Sequence, residues 1–197
     1  MQRIVLAVLL AAPFINGCAP LVVGGAAATG VVVAEDRRTV GTITEDQAIE
    51  LKASSRIGDR VKNGHVNVTS YNRMVLLTGE APDAAAKASA EKTAAGVDNV
   101  RHVYNELAIG PNSALSARAN DTYLTSVVKA RFVDAQRFSP VHIKVVTEAS
   151  VVYLLGLATR KEADAAKDTL GGAVAVSGDL ADSLANEVLD VARTAFT

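Results

Sequence analysis

The sequence predicts an α+β protein of two tandem αββαβ repeats, each a small sheet with helices on one face, the second copy ending in an atypical helix. Three observations predict it. Similar blocks recur at an offset of about 75 and then about 77 residues. Within each block the apolar residues change from helical spacing to strict alternation in the same order. The composition is 49% hydrophobic but only 4% aromatic, with no Trp, so cores of Val, Leu, Ile and Ala are expected.

The chain opens with Arg3, an apolar run over residues 4–12, and then Ile15-Asn16-Gly17-Cys18. Charge, apolar run, small residue and cysteine in that order make an export signal. Residues 1–17 are expected to be removed as a lipoprotein signal peptide, with Cys18 the lipidated first residue. The other reading is a leader cut elsewhere, with Cys18 an ordinary thiol. Residues 18–44 then form a lipidated tether, rich in Gly, Ala and Val over 19–33. No apolar run reaches the roughly 18–20 residues that span a bilayer. A single cysteine excludes an intramolecular disulfide.

The first repeat is placed at 45–110. Ile49, Ala53, Ile57 and Val61 lie at helical spacing. Alternating strands follow at 66–70 and 73–79, with a turn at Tyr71-Asn72. Pro82 suits the first turn of an alanine-rich second helix. After Gly96-Val97 comes a closing strand with Val103, Leu107 and Ile109 on one face. Gly110-Pro111-Asn112-Ser113 is the boundary between copies.

The second repeat is placed at 118–176. Leu124, Val128, Phe132 and Ala135 repeat the helical stripe, Asp121 falls in the cap region, and a small insertion lies near Ser139-Pro140. Strands follow at 143–147 and 151–157 around a turn at Glu148-Ala149-Ser150. Thr159 and Glu162 have capping-box spacing. Beyond residue 170 the copies diverge. Residues 173–176 suit a short strand, and the usual last strand is otherwise missing. Over 177–197, Leu180, Leu184, Val188, Val191 and Ala195 fall on one helix face. Without its last strand the second sheet would keep an exposed edge unless that helix covers it. A single copy is near the lower size limit for independent stability, so the two copies are expected to pack together.

No reactive constellation is legible. His65 and His142 hold equivalent positions and read as exposed strand histidines; neither they nor His102 sit in a cluster with metal-ligand spacing. The glycines at 24, 25 and 30 do not open a helix after a strand. A net charge of −1 and the lack of basic stretches interleaved with aromatics exclude a nucleic-acid partner. No catalytic residue, metal or cofactor is therefore expected.

The repeat order is joined by four tracts: Asp36-Arg37-Arg38-Thr39-Val40-Gly41-Thr42 before the first copy, Thr78-Gly79-Glu80 and Leu155-Gly156-Leu157 at strand ends, and Glu162-Ala163-Asp164-Ala165-Ala166. Over roughly residues 1–170 the chain resembles the BON-domain family, in particular outer-membrane lipoproteins carrying two such domains. The resemblance implies a non-enzymatic lipoprotein facing the periplasm, acylated on Cys18 with palmitate-type chains. It would bind anionic phospholipid, support envelope integrity and gather with division or other envelope proteins. Ala19 rather than Asp after the cysteine implies the outer membrane. The resemblance also implies lipid contact through the first helix of the second copy, here about 120–137. Its candidate lipid-binding residues are Tyr123, on the flank of the apolar stripe beside Val127, together with Lys129 and Val133 on the outer face and Arg131 and Arg137 near the C-terminal half. Asp121 and Asp134 would oppose an anionic surface. The alternative is that Tyr123 packs on a neighbouring element and the basic groups are simply solvated. Rival functions are a protein–protein adaptor of the envelope and a stress-protective, chaperone-like module.

Overall fold

The computed structural model describes residues 36–171, 174–176, 188–189 and 192–195. The chain divides into Met1–Ala34, outside the described residues, and one compact unit, Glu35–Thr197. Cys18 and the leader lie outside the described residues. Among the described residues no helix is long and apolar enough to cross a membrane.

The first repeat runs α1 (Val40–Arg60), β1 (His65–Tyr71), β2 (Met74–Ala81), α2 (Ala84–Ala95), β3 (His102–Asn105) and β4 (Ala108–Ile109). Helix α1 starts where Thr39 accepts a hydrogen bond from the Thr42 amide, so the end of the expected tether is already folded. Its buried residues Ile49, Ala53 and Ile57 keep helical spacing and face the sheet. Asp83, not Pro82, opens α2: its carboxylate accepts from the Ala86 amide, and Pro82 precedes the cap.

Strands β1 and β2 pair antiparallel from His65↔Glu80 to Tyr71↔Met74. The turn is Asn72-Arg73, one residue later than expected, with φ of 50° and 65°. This two-residue geometry matches the strand twist but costs side-chain-bearing residues some strain. The expected closing strand is broken in two. Both pieces run parallel to β2, and Leu107 between them is buried in the core. Its amide donates to Asn105 Oδ1 at the break.

The second repeat runs α3 (Leu115–Ala135), a 3₁₀ turn (Pro140–His142) at the expected insertion, β5 (Ile143–Glu148), β6 (Val151–Ala158), α4 (Arg160–Thr169), and the short strands β7 (Val174–Val176), β8 (Val188–Leu189) and β9 (Ala192–Ala195). Helix α4 begins with the capping box of Thr159 and Glu162. The β5–β6 turn, Ala149-Ser150, repeats the positive φ of the first copy.

The C-terminus corrects an expectation. Val188 and Ala195, assigned from spacing to a terminal helix, lie in strands; Leu180, Leu184 and Val191 lie outside the described residues. Strands β8 and β9 pair antiparallel with β6, and β7 pairs on the far side of β9. In the first repeat that flank of β2 is taken by β3 and β4, running parallel. The physical reason is backbone demand. The free edge of β6 carries a row of unpaired N–H and C=O groups, and the returning chain satisfies them. Apolar spacing alone could not reveal that.

Each sheet packs its helices on one face, through one core containing Ile49, Val75 and Leu77 and another containing Val128, Phe132 and Leu154. The opposite faces meet each other. Tyr71, Met74 and Leu76 of the first copy pack with Tyr153, Leu155 and Leu157 of the second in a third core. Two glycines hold equivalent places in the central strands. A Cβ on Gly79, whose φ is +106°, would be driven into the His65 carbonyl oxygen; one on Gly156 would come within 2.5 Å of the His142 carbonyl oxygen. Only glycine allows these backbones to approach so closely.

Candidate functional site

Helix α3 carries the residues singled out for membrane contact. Its inward side is set by Asp121, Val128 and Phe132, all buried. Phe132 stacks edge-on against Phe138, with centroids 5.0 Å apart. Asp121 does not cap the helix and does not face outward. Its carboxylate accepts from the amides of Ala149 (3.0 Å) and Ser150 (2.8 Å), bracing the strained turn. It therefore presents no charge to a membrane, whereas Asp134 is exposed.

The outward side carries an apolar stripe. Leu115 (82% exposed), Tyr123 (65%) and Val133 (60%) stand out from it. Exposed Ala119, Ser126 and Ala130 fall between them at helical spacing, making one stripe opposite the core. Tyr123 thus stands mostly in solvent rather than against another described element. Exposed Lys129 lies on one flank of the stripe and exposed Asp134 on the other, while Arg131, also exposed, lies farther round the helix toward the core. Val127 is only half-buried, and its place near the side of the helix leaves it at the rim. Arg137 follows the helix and pairs with Asp168, Nη2 to Oδ2 at 3.3 Å. Leu115 and Ala119 were missed because the helix was expected to begin near residue 120, and Ala130 because a small side chain gives little hydrophobic signal. Extending the periodicity backwards would have found Leu115 and Ala119.

A second polar group lies at the seam between repeats. Arg37 donates to the Leu157 carbonyl (2.8 Å) and forks onto both oxygens of Glu162 (2.7 and 2.8 Å). This pairing, with the capping hydrogen bonds of Thr159, holds the Glu162 carboxyl at about 2. Arg38 pairs with Asp36 and with buried Asp46, and its guanidinium lies 3.9 Å from the centre of the Tyr71 ring. Burial alone would raise Asp36, but the hydrogen bonds and charge of Arg38 outweigh it and leave the carboxyl below its ordinary value. Burial pushes the Tyr71 hydroxyl up, and the hydroxyl donates to the His142 carbonyl at 3.2 Å. The Asp36-Arg37-Arg38 tract is therefore a clasp, tying the segment before α1 to both repeats.

Two segments, residues 45–111 and 120–181, match the BON domain family. Among curated proteins the chain is 39% identical over 168 residues to the outer membrane lipoprotein DolP of Haemophilus influenzae, covering 83% of this chain and 86% of that protein. It is 31% identical to a 21 kDa hemolysin of Actinobacillus pleuropneumoniae, over 68% of this chain and 70% of the other. It is 28% identical to the osmotically-inducible protein Y of Escherichia coli, over 77% and 79%.

Proposed function

The chain belongs to the BON-domain family, and from that premise we propose that it is an envelope lipoprotein, anchored at the outer membrane through Cys18, that meets anionic phospholipid with the outward face of α3. The supporting observation is the stripe of Leu115, Tyr123 and Val133, exposed in water with Lys129 on one flank and Arg131 farther round the same helix; Asp134 on the other flank works against it. An amphipathic helix lying in an interface needs an apolar face of this kind with basic residues beside it. Tyr123 brings a ring suited to the boundary between headgroup and chain. Each basic group close to an anionic leaflet adds roughly 1 kcal/mol, falling off within a Debye length. The similarity to an outer membrane lipoprotein and the expected export signal over residues 1–17, just before Cys18, support that compartment. Lipid on Cys18 gives attachment, since more than one acyl chain anchors stably; the α3 contact selects where the body rests. The reading assigns binding rather than catalysis, and Arg137, already paired with Asp168, a lesser part.

The test is co-sedimentation of the compact unit, residues 35–197, with phosphatidylglycerol-containing and purely zwitterionic vesicles at low and high salt. Expected are selectivity for the anionic vesicles, weakening in salt, and a several-fold loss in Tyr123→Ala. Folded protein that stays in the supernatant with both vesicle types would overturn the reading and favour a protein partner for this face.

A further inference from the structure

The seam between the repeats has two ends related by the internal repeat, and they are finished differently. At one end His142 and Leu157 of the second copy meet Tyr71 of the first, and Arg37 and Arg38 supply positive charge. At the other end the equivalent residues are His65 and Glu80 of the first copy and Glu148 of the second. His65 opens β1 and faces Glu80 across the strand pair. Glu148 closes β5.

Their donor atoms, one imidazole nitrogen and one oxygen from each carboxylate, all lie within 4.8 Å of one another. Glu80 and Glu148 are each only 7% exposed. His65 Nδ1 and Glu80 Oε2 are buried 3.4 Å apart, and neither atom has a hydrogen-bond partner among the described residues. No Lys or Arg among the described residues pairs with either glutamate. Two neighbouring buried carboxylates with no Lys or Arg beside them are expensive, and the protein interior does not leave such groups uncompensated without cause. Asn67 donates to Glu148 Oε2 at 2.7 Å, orienting that carboxylate as an outer-shell residue orients a metal ligand.

We propose that His65, Glu80 and Glu148 form a binding site for a divalent metal ion of the zinc class that clamps the two repeats together. One imidazole and two carboxylates, without thiolate, suit Zn²⁺ and, less well, Mn²⁺, with water completing the coordination. The His65 side chain is 23% exposed, which leaves a way in from solvent. Two ligands come from the first copy and one from the second, so bound metal resists separation of the sheets. The proposal is independent of the lipid reading.

The experiment is calorimetric titration of the full chain carrying Cys18→Ser, which removes its only thiol, with zinc, manganese and magnesium chlorides. Expected is saturable one-site zinc binding, weakened at least tenfold in His65→Gln and in Glu148→Gln and unchanged in His102→Gln. Zinc should also raise the melting temperature of the parent and not that of Glu148→Gln. Should the variants fold poorly, nitrogen NMR of the parent decides: zinc must shift the ring nitrogens of His65 and leave those of His102 and His142 in place. Absence of zinc binding, equal binding by Glu148→Gln, or shifts at His102 or His142 instead would overturn the proposal.

Discussion

Helices α1 and α3 hold the same place in their repeats and bury the same pattern. Ile49, Ala53 and Ile57 face the sheet in one, and Val128 and Phe132 in the other, each accompanied by a buried aspartate that braces the hairpin beside it. Their outward faces differ. Where α3 presents Leu115, Ala119, Tyr123, Ser126, Ala130 and Val133, α1 has Val40, Thr44, Ala48, Leu51, Ser55 and Gly58, so the apolar positions are exchanged rather than repeated. The cations of α1 turn back onto its own repeat: Arg56 donates to the Gly96 carbonyl, Arg60 to Thr93, and Lys52 lies 4.0 Å from Asp98. Lys129 on α3 has no ion pair among the described residues. The inward face is constrained by packing and so repeats; the outward face is constrained only by what it meets, and there the copies have parted.

The comparison breaks hardest at the backbone. Gly79→Ala must place a Cβ against a carbonyl oxygen at positive φ, and is expected to destabilise by about 3 kcal/mol or more. Gly156→Ala faces the same contact without the positive φ, and about 2 kcal/mol is expected. Urea midpoints of the two variants measure the difference, and equal losses would show that the left-handed conformation of Gly79 contributes nothing.

Next come the hairpin aspartates. Asp46 accepts from Ser70 Oγ and the Asn72 and Arg73 amides and pairs with Arg38, whereas Asp121 serves two amides. Asp46→Ala should cost about 2–3 kcal/mol and Asp121→Ala about 1–2 kcal/mol, because more buried donors lose their partner in the first. Thermal melts would check the order; a larger loss in Asp121→Ala would reverse it.

The outward faces give a smaller effect on a different readout. Tyr123→Ala should weaken vesicle binding by a factor reflecting about 1 kcal/mol of partly buried ring. Leu51→Ala, an exposed leucine on α1, should leave it unchanged. Equal losses would remove the distinction between the helices.

The clasp gives the smallest. The folded carboxyl of Glu162 is held at about 2, below its ordinary 4.5, so its stabilising effect is present at neutral pH. The effect is lost as pH falls from about 4.5 toward about 2. The pair is partly exposed to solvent, so about 1 kcal/mol or less is at stake. Glu162→Gln should flatten stability across that acid window and change little else.

Much of this was legible in residue patterns. The repeat, its α-β-β-α order and the capping box of Thr159 and Glu162 rest on local spacing, which the sequence displays directly. The face of α3 was half legible. Tyr123 and Val133 were noted, but their distance from the core could be judged only once the helix was known to begin at Leu115. Asp121 was misread as a cap because its partners, the Ala149 and Ser150 amides, lie in a later hairpin.

By itself, then, the sequence determined two copies of one small α/β unit, since hydrophobic period and turn chemistry are properties of neighbouring residues. Only the tertiary structure decided how those copies finish. The edge of β6 recruited β8 and β9 against the helical spacing of the last residues, because unpaired backbone groups outweigh a weak local preference. His65, read as an exposed strand histidine, came to face Glu80 and Glu148 at a seam that exists only when the two sheets meet. Spacing along the chain carries no record of such a meeting; it is made by packing the two apolar faces that each copy alone leaves uncovered.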